Sequence, residues 1–319
     1  MEVKKKLFLI DAYALIFRGY YAFIKNPRIN SNGLDTSAIL GFTNSLFDVI
    51  KREKPEFLAV CFDKGGSKDR VKIYEKYKAN RDETPEAIKV AVPIIENILN
   101  SLGISILVKN GYEADDIIGT ISKKASLENY MTYMVTPDKD FAQLVNDSVF
   151  IYRPVFGGGY ETWGVKEVLE KFEISKPSQV IDFLAMKGDS IDNIPGLPGV
   201  GDKTAKKFIN EYGSIENLLN NTDKLKGKLK EKIELNKELG ILSKKLATII
   251  TDVPISYDIN NFTLSPKNLD ETKKIFDELE FRRLSTSLNS IFTNSKNIIE
   301  VANSLKKNDK SINTDFGQF

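Results

Sequence analysis

The sequence predicts an α/β protein: a parallel sheet with covering helices in its first half, followed by an all-helical region. Two observations carry this. Up to about residue 175, short apolar runs rich in β-forming residues alternate with longer amphipathic segments, and from Lys176 onward only helical patterns and turns remain. Leu7 to Ile10, Phe57 to Phe62, Ile104 to Val108 and Tyr130 to Val135 are the expected strands, with helices between them. In the second half, Ile194-Pro-Gly-Leu-Pro-Gly-Val-Gly201 is a turn between helices, and an amphipathic run extends from about Leu225 to Ile250. These patterns predict domains at 1–175 and 176–286. After Ser287 the chain turns rich in Asn, Ser and Lys, which predicts a linker or tail over 287–319. No internal repeat is present.

At 319 residues and 41% hydrophobic content the chain can bury a large core and a smaller second one. Lys and Arg (46) nearly balance Asp and Glu (44), so any electrostatic signal must come from local clustering. There are no histidines, which excludes His-based triads and His-ligated zinc and leaves carboxylates as the residues to hold a catalytic metal. The single cysteine, Cys61, lies in an apolar run and is read as core in a reducing compartment. The basic start and Leu7 to Ile10 imitate a signal peptide, but Asp11 ends the apolar run too soon. No run approaches the ~20 apolar residues of a membrane span. A cytoplasmic protein with no membrane partner is expected.

The acids are placed by the strands. Asp11 follows the first, Asp63 the second, Glu113, Asp115 and Asp116 the third, and Asp138 and Asp140 the fourth. Carboxyl ends of parallel strands are where open α/β sheets bind ligands. Each acid alone fits a helix cap or a favourable first-turn charge. Capping needs one acid per helix, however, and does not explain the clusters at 113–116 and 138–140. Two carboxylates ~6 Å apart repel by about 3 kcal/mol at an effective dielectric of ~20, so such a group calls for cations between its members. All-oxygen ligation suits Mg²⁺ or Mn²⁺, and hence chemistry at phosphorus. Asp189 and Asp192 are spaced to face one way on a helical turn, although an ordinary turn built of turn-forming residues fits them equally.

Between Lys64 and Arg81 lie seven basic residues against Asp69 and Glu75. If this segment is helical, Arg70, Tyr74, Tyr77, Lys78 and Arg81 share one face that mixes phosphate-binding cations with rings able to stack on bases. Arg18 with Tyr20 and Tyr21 follows Asp11 in a similar way, though rings there also fit a core. The segment Gly196-Leu-Pro-Gly199-Val-Gly201-Asp-Lys203-Thr204-Ala-Lys206 imitates a nucleotide-binding P-loop. Asp202 breaks that match and no buried strand precedes it. A glycine hairpin between helices, holding nucleic-acid phosphates through backbone N–H groups and nearby lysines, is the better reading beside a plain helix-helix turn.

Six ordered motifs carry a resemblance: Leu7-Phe-Leu-Ile-Asp11, Ala59-Val-Cys-Phe-Asp63, Tyr74-Glu-Lys-Tyr-Lys78-Ala-Asn-Arg81, Tyr112-Glu-Ala-Asp-Asp116, Thr136-Pro-Asp-Lys-Asp140 and Gly188-Asp-Ser-Ile-Asp-Asn-Ile-Pro-Gly196. Over residues 5 to about 285 the chain resembles the 5′-3′ exonuclease domains of bacterial DNA polymerases I, within the flap endonuclease family. The resemblance implies a PIN-like nuclease core, a helical arch at about 64–100 and a helix-hairpin-helix DNA-binding domain. It implies a two-metal site of Mg²⁺ or Mn²⁺ on Asp11, Asp63, Glu113, Asp115, Asp116, Asp138, Asp140, Asp189 and Asp192. It also implies catalytic roles for Lys78 and Arg81 in the arch, with Tyr77 beside them, and K⁺ at the hairpin of Gly199, Gly201, Lys203 and Thr204. The expected substrate is DNA with 5′ ends or flaps, including RNA primers in hybrid form, cut by a monomer in replication and repair. Relatives of this kind continue into proofreading and polymerase domains, so an excised amino-terminal fragment is expected here. Rival readings are a PIN-type ribonuclease, against which the hairpin counts, and a DNA-junction binder with vestigial acids. A phosphatase using Asp11 is disfavoured because Tyr13 stands where its second acid belongs.

Overall fold

Leu7, Phe8, Leu9 and Ile10 are all 0% exposed, as an unbroken apolar run requires when a strand is covered on both faces. They form the centre of a sheet in the structure, a computed structural model that describes residues 5–292. Its strands are β1 (Lys6–Asp11), β2 (Phe57–Phe62), β3 (Ser105–Val108), β4 (Met131–Val135), β5 (Val149–Pro154) and β6 (Tyr160–Trp163). The helices up to the hairpin region are α1 (Ala12–Phe23), α2 (Ser37–Glu53), α3 (Lys68–Ile73), α4 (Glu86–Ser101), α5 (Ala114–Leu127) and α6 (Val165–Phe172). Then follow α7 (Gln179–Lys187), α8 (Asp202–Tyr212), α9 (Ile215–Asn220), α10 (Gly227–Leu235), α11 (Lys237–Ala247) and α12 (Leu269–Glu278). Among the described residues no helix is long and apolar enough to cross a membrane.

The strand order is β3-β2-β1-β4-β5-β6. β1 pairs in parallel with β2 on one side and β4 on the other, and β4 pairs in parallel with β5. The chain order therefore reverses between β1 and β4, where the following loops part and leave a crevice at the carboxyl edge. Asp11 ends β1 and Asp63 directly follows β2. Two strands go beyond the four expected from sequence. β5 and β6 form an antiparallel hairpin around Gly157, Gly158 and Gly159, all at positive φ. β6 is a four-residue edge strand, YETW, too short and too polar for its alternation to stand out from a loop.

The chain divides into two compact units. The first comprises residues up to Leu15, Phe57–Pro85 and Ile106–Phe262, so it holds the sheet, apart from Ser105 of β3, together with α3 and the helices from α5 to α11. In this unit α7 packs against α8, α9 and α11, and Phe183, Leu197, Phe208 and Ile215 are buried among them. The run expected from Leu225 to Ile250 breaks into α10 and α11 at Asn236.

The second unit comprises Ile16–Glu56, Glu86–Ser105 and the described residues from Thr263. Phe47 of α2 meets Phe276 of α12 and Phe292 edge to face, each at 5.8 Å between ring centroids. Residues 282–292 are helical, with Leu288 and Phe292 buried. The tail expected from 287 thus starts as packed helix, because its sparse apolar residues fall on one helical face. The remainder of that expected tail, 293–319, lies outside the described residues.

Candidate metal centre

All nine expected acids lie in the first unit. Asp11 is buried at the end of β1, where its carboxylate accepts the Ala14 N–H at 3.2 Å and the Thr136 hydroxyl at 3.0 Å. Burial, then the charge of Asp63, pushes its pKa up to about 7. Asp63 accepts the Ala114 N–H at 2.8 Å, at the start of α5, and burial likewise raises its pKa. The α5 N-terminus gathers Glu113, Asp115 and Asp116, with one oxygen from each lying within 4.8 Å of the others. Burial and then Asp116 hold Asp115 well above the ordinary carboxyl range.

The second group closes the edge from the other side. Asp138 caps a short 3-10 turn by accepting the Asp140 N–H at 2.9 Å. Oδ1 of Asp140 is buried without a hydrogen-bond partner, and burial followed by Asp138 and Asp189 raises its pKa to about 8. With Asp189 and Asp192 these acids line a cavity of about 440 Å³ to which Arg81, Arg153 and Lys187 also contribute. Spacing alone left Asp189 and Asp192 open and the family resemblance placed them in the metal site; in the structure both line this cavity. Their loop is formed by the Asp189–Ile194 bridge, closed by Gly188 and Gly196 at positive φ.

The basic segment does not form one helix. α3 ends at Ile73, Tyr74 is extended, and Lys78 sits at φ 56, so the expected single face of Arg70, Tyr74, Tyr77, Lys78 and Arg81 is corrected. Folded as turns, the segment is tied to the 189–194 loop instead. The Lys78 N–H donates to Asp192 O at 2.9 Å, Asn80 to Ser190 O at 2.6 Å and Asn193 to Lys76 O at 2.6 Å. This directs Lys78 Nζ to Glu113 at 2.7 Å and Asp192 at 3.5 Å, and pairs Arg81 with Asp192. Burial opposes the charge of Lys78, but Glu113 and Asp192 outweigh it and raise its pKa.

Two expected DNA contacts are corrected by burial. Arg70 is 3% and Tyr77 6% exposed, so neither offers a surface to a nucleic acid. Tyr77 donates its hydroxyl to Glu113 at 3.1 Å, and Tyr74 packs half-buried against the core. The reason is long-range: Arg70, on α3, and Tyr77, in the turn that follows, are drawn inward to pair with carboxylates at the start of α5. Arg18, on α1, falls in the second unit and is exposed. At the glycine hairpin, Gly199 is exposed at φ 87, and Gly201 is the N-cap of α8 without a side-chain cap. Lys203 is exposed and Thr204 half-buried, while Lys206 pairs with Glu173 at 2.9 Å and Asp202 at 3.4 Å. Sequence reasoning assigned no role to Thr136, Asn80 or Asn193. Only the place of each inside a quoted motif could have flagged them.

The donor set is all oxygen, its burial and then its crowding raise carboxyl pKa values, and it includes the buried, unpartnered Oδ1 of Asp140. These residues fit hard divalent cations.

Two family models match the chain: the 5′-3′ exonuclease N-terminal resolvase-like domain over residues 6–173 and the 5′-3′ exonuclease C-terminal SAM fold over 175–270. The 5′-3′ exonuclease of Aquifex aeolicus (strain VF5) is 36% identical over 288 residues, covering 90% of this chain and 96% of that protein. DNA polymerase I of Mycobacterium tuberculosis (strain ATCC 25618 / H37Rv) is 38% identical over 288 residues, which is 90% of this chain but 32% of the polymerase. The chain thus spans about a third of the length of the polymerases it matches. Among solved structures, bacteriophage T5 5′-exonuclease with bound divalent metal ions (zinc) superposes with a TM-score of 0.65 at 21% identity, covering 86% of this chain and 98% of that one. The catalytic core of Rad2 in complex with DNA substrate gives 0.59 at 17%, covering 91% and 92%. At such identities the shared feature is the fold.

Proposed function

Because the chain belongs to the 5′-3′ exonuclease family, we propose that it is a structure-specific 5′ nuclease that hydrolyses DNA phosphodiester bonds with two bound Mg²⁺ or Mn²⁺ ions. The observation that carries this reading is the convergence of nine carboxylates from β1, β2, α5, the 138–140 turn and the 189–192 loop on one sheet edge, with Lys78 and Arg81 among them. Carboxylates of this set would hold the ions. Bound there, divalent ions supply an activated water and offset charge at the phosphorus.

The chain's own residues do the rest. Thr136 and the Ala14 N–H fix Asp11, and the Ala114 N–H fixes Asp63, so the oxygen donors are oriented before substrate arrives. Lys78 and Arg81 lie beside the acids and would neutralise the scissile phosphate. The glycine hairpin would hold duplex phosphates on the uncapped α8 N-terminus and Lys203, with K⁺ part of the same proposal. Specificity would be for ends and flaps, including RNA primers in hybrids, because phosphate contacts carry no sequence information. A cytoplasmic monomer joined to a polymerase in its longer relatives completes the reading.

The test is product sizing on a 5′-labelled flap duplex with Mg²⁺. Mononucleotides or short flaps are expected, with no product in EDTA or from Asp63→Ala. Flap binding without metal-dependent cleavage would instead identify a junction-binding module, and full cleavage by Asp63→Ala would overturn the assigned site.

A further inference from the structure

Arg70, in the first unit, makes six side-chain hydrogen bonds. Nε donates to Leu246 O at 3.1 Å. Nη1 donates to Ser67 Oγ at 3.2 Å, Glu113 Oε2 at 3.1 Å and Asp116 Oδ2 at 2.9 Å. Nη2 donates to Asp116 Oδ1 at 2.7 Å and Thr248 O at 2.8 Å. A guanidinium has five N–H donors in a planar fork, and every one is used here. The contacts join three elements: α3, which carries Arg70; the N-terminus of α5; and the C-terminal carbonyls of α11, where a cation offsets the negative end of the helix dipole.

Asp116 is the counterpart. It is 0% exposed. Beyond the two Arg70 bonds, its Oδ1 accepts the Ile250 N–H at 2.9 Å and its Oδ2 the Glu113 N–H at 3.3 Å. An ionised carboxylate has about four acceptor sites, so all are filled. Asp115 next to it accepts one N–H on Oδ1 from Asp116, at 2.8 Å, and is only half-buried. Glu113 has Oε2 on Arg70 and Tyr77, and Oε1 on Lys78.

We propose that Arg70 is a positioning residue of the nuclease site and that Asp116 is its structural partner rather than a metal ligand, leaving Glu113 and Asp115 as the ion-facing acids of α5. This rests on the nuclease reading above. The buried pair fixes the first turn of α5 against α11, and Arg70 holds one Glu113 oxygen so that the other is aimed at the edge. Lysine cannot replace it, because one ammonium provides three donors from a single point and not a fork.

The proposal is tested on the purified full chain, stripped of metal, using Mn²⁺ alone followed by electron paramagnetic resonance, together with steady-state cleavage of the flap duplex and melting curves. Asp116→Asn is expected to bind Mn²⁺ within about threefold of the unsubstituted protein, whereas Asp115→Asn loses about tenfold or more. Arg70→Lys is expected to lower kcat by about 10- to 100-fold with little change in KM. The double variant Arg70→Met/Asp116→Leu removes both charges together and is expected to melt near the unsubstituted protein while kcat stays low. Equal Mn²⁺ losses in Asp116→Asn and Asp115→Asn would overturn the assignment of Asp116. Normal kcat in Arg70→Lys, or recovery of kcat along with melting temperature in the double variant, would reduce Arg70 to a stabilising residue. If the unsubstituted protein cuts nothing, the nuclease reading alone fails and the Mn²⁺ comparison still decides the role of Asp116.

Discussion

Asp11 and Asp140 hold protons near neutrality for the same reason: each is withdrawn from water beside other carboxylates, and their pKa values rise to about 7 and about 8. In the unfolded chain both would ionise near pH 4. Between these limits the folded, metal-free state binds more protons than the unfolded one, so its stability falls as pH rises from about 4 through about 8. Divalent ions require the carboxylates deprotonated. Mn²⁺ affinity is therefore expected to increase from about pH 6 to about pH 9, with proton release measurable by calorimetry in buffers of different ionisation enthalpy. Asp140→Asn should flatten the upper part of the stability profile while abolishing flap cleavage; a melting temperature that still falls through pH 8 as steeply as before would contradict the assignment to Asp140. At this scale the sequence was informative about charge and blind to burial. Arg70 and Tyr77 had the residue types of a DNA-facing surface, yet α3 and the turn after it carry them into the interior beside Glu113.

The element that turns scattered acids into a site is the short loop between α7 and α8. Its ends meet at Gly188 and Gly196, at φ 78 and 67, where a Cβ on Gly196 would lie 2.5 Å from the Gly188 nitrogen. Backbone cannot yield there as a flexible side chain would. Gly196→Ala is expected to cost about 2 kcal/mol or more in urea unfolding, from the left-handed conformation and the collision together. It should also displace Asp189 and Asp192, reducing cleavage beyond what the lost stability explains. An unchanged denaturation midpoint would show that the loop has another way to close. The segment 74–81 depends on the same loop, because Lys78, Asn80 and Asn193 join the two through backbone carbonyls. Periodicity suggested a helix for this segment. Pairing with a distant loop, which no local pattern encodes, decided otherwise.

Across the whole molecule, positive and negative residues nearly cancel, so any attraction to nucleic acid would come from patches. Lys203 stands exposed at the start of α8, and removing one phosphate contact lowers the salt dependence of binding in a predictable way. Lys203→Ala should weaken flap-duplex binding similarly for all sequences and reduce the slope of log K against log salt by about 1. An unchanged slope would place Lys203 off the DNA path. The sequence by itself determined the α/β class, the change to an all-helical region, seven acids at one sheet edge and the absence of histidine chemistry. These follow from local periodicity, strand ends and composition, which are short-range properties. Spacing left Asp189 and Asp192 open, and only the family resemblance put them in the site. Only the tertiary structure decided that the chain between α3 and α4 folds as turns and that Arg70 and Asp116 pair in the interior. Each of those depends on contacts between residues far apart in the chain, where the need to neutralise buried charge outweighs local preference.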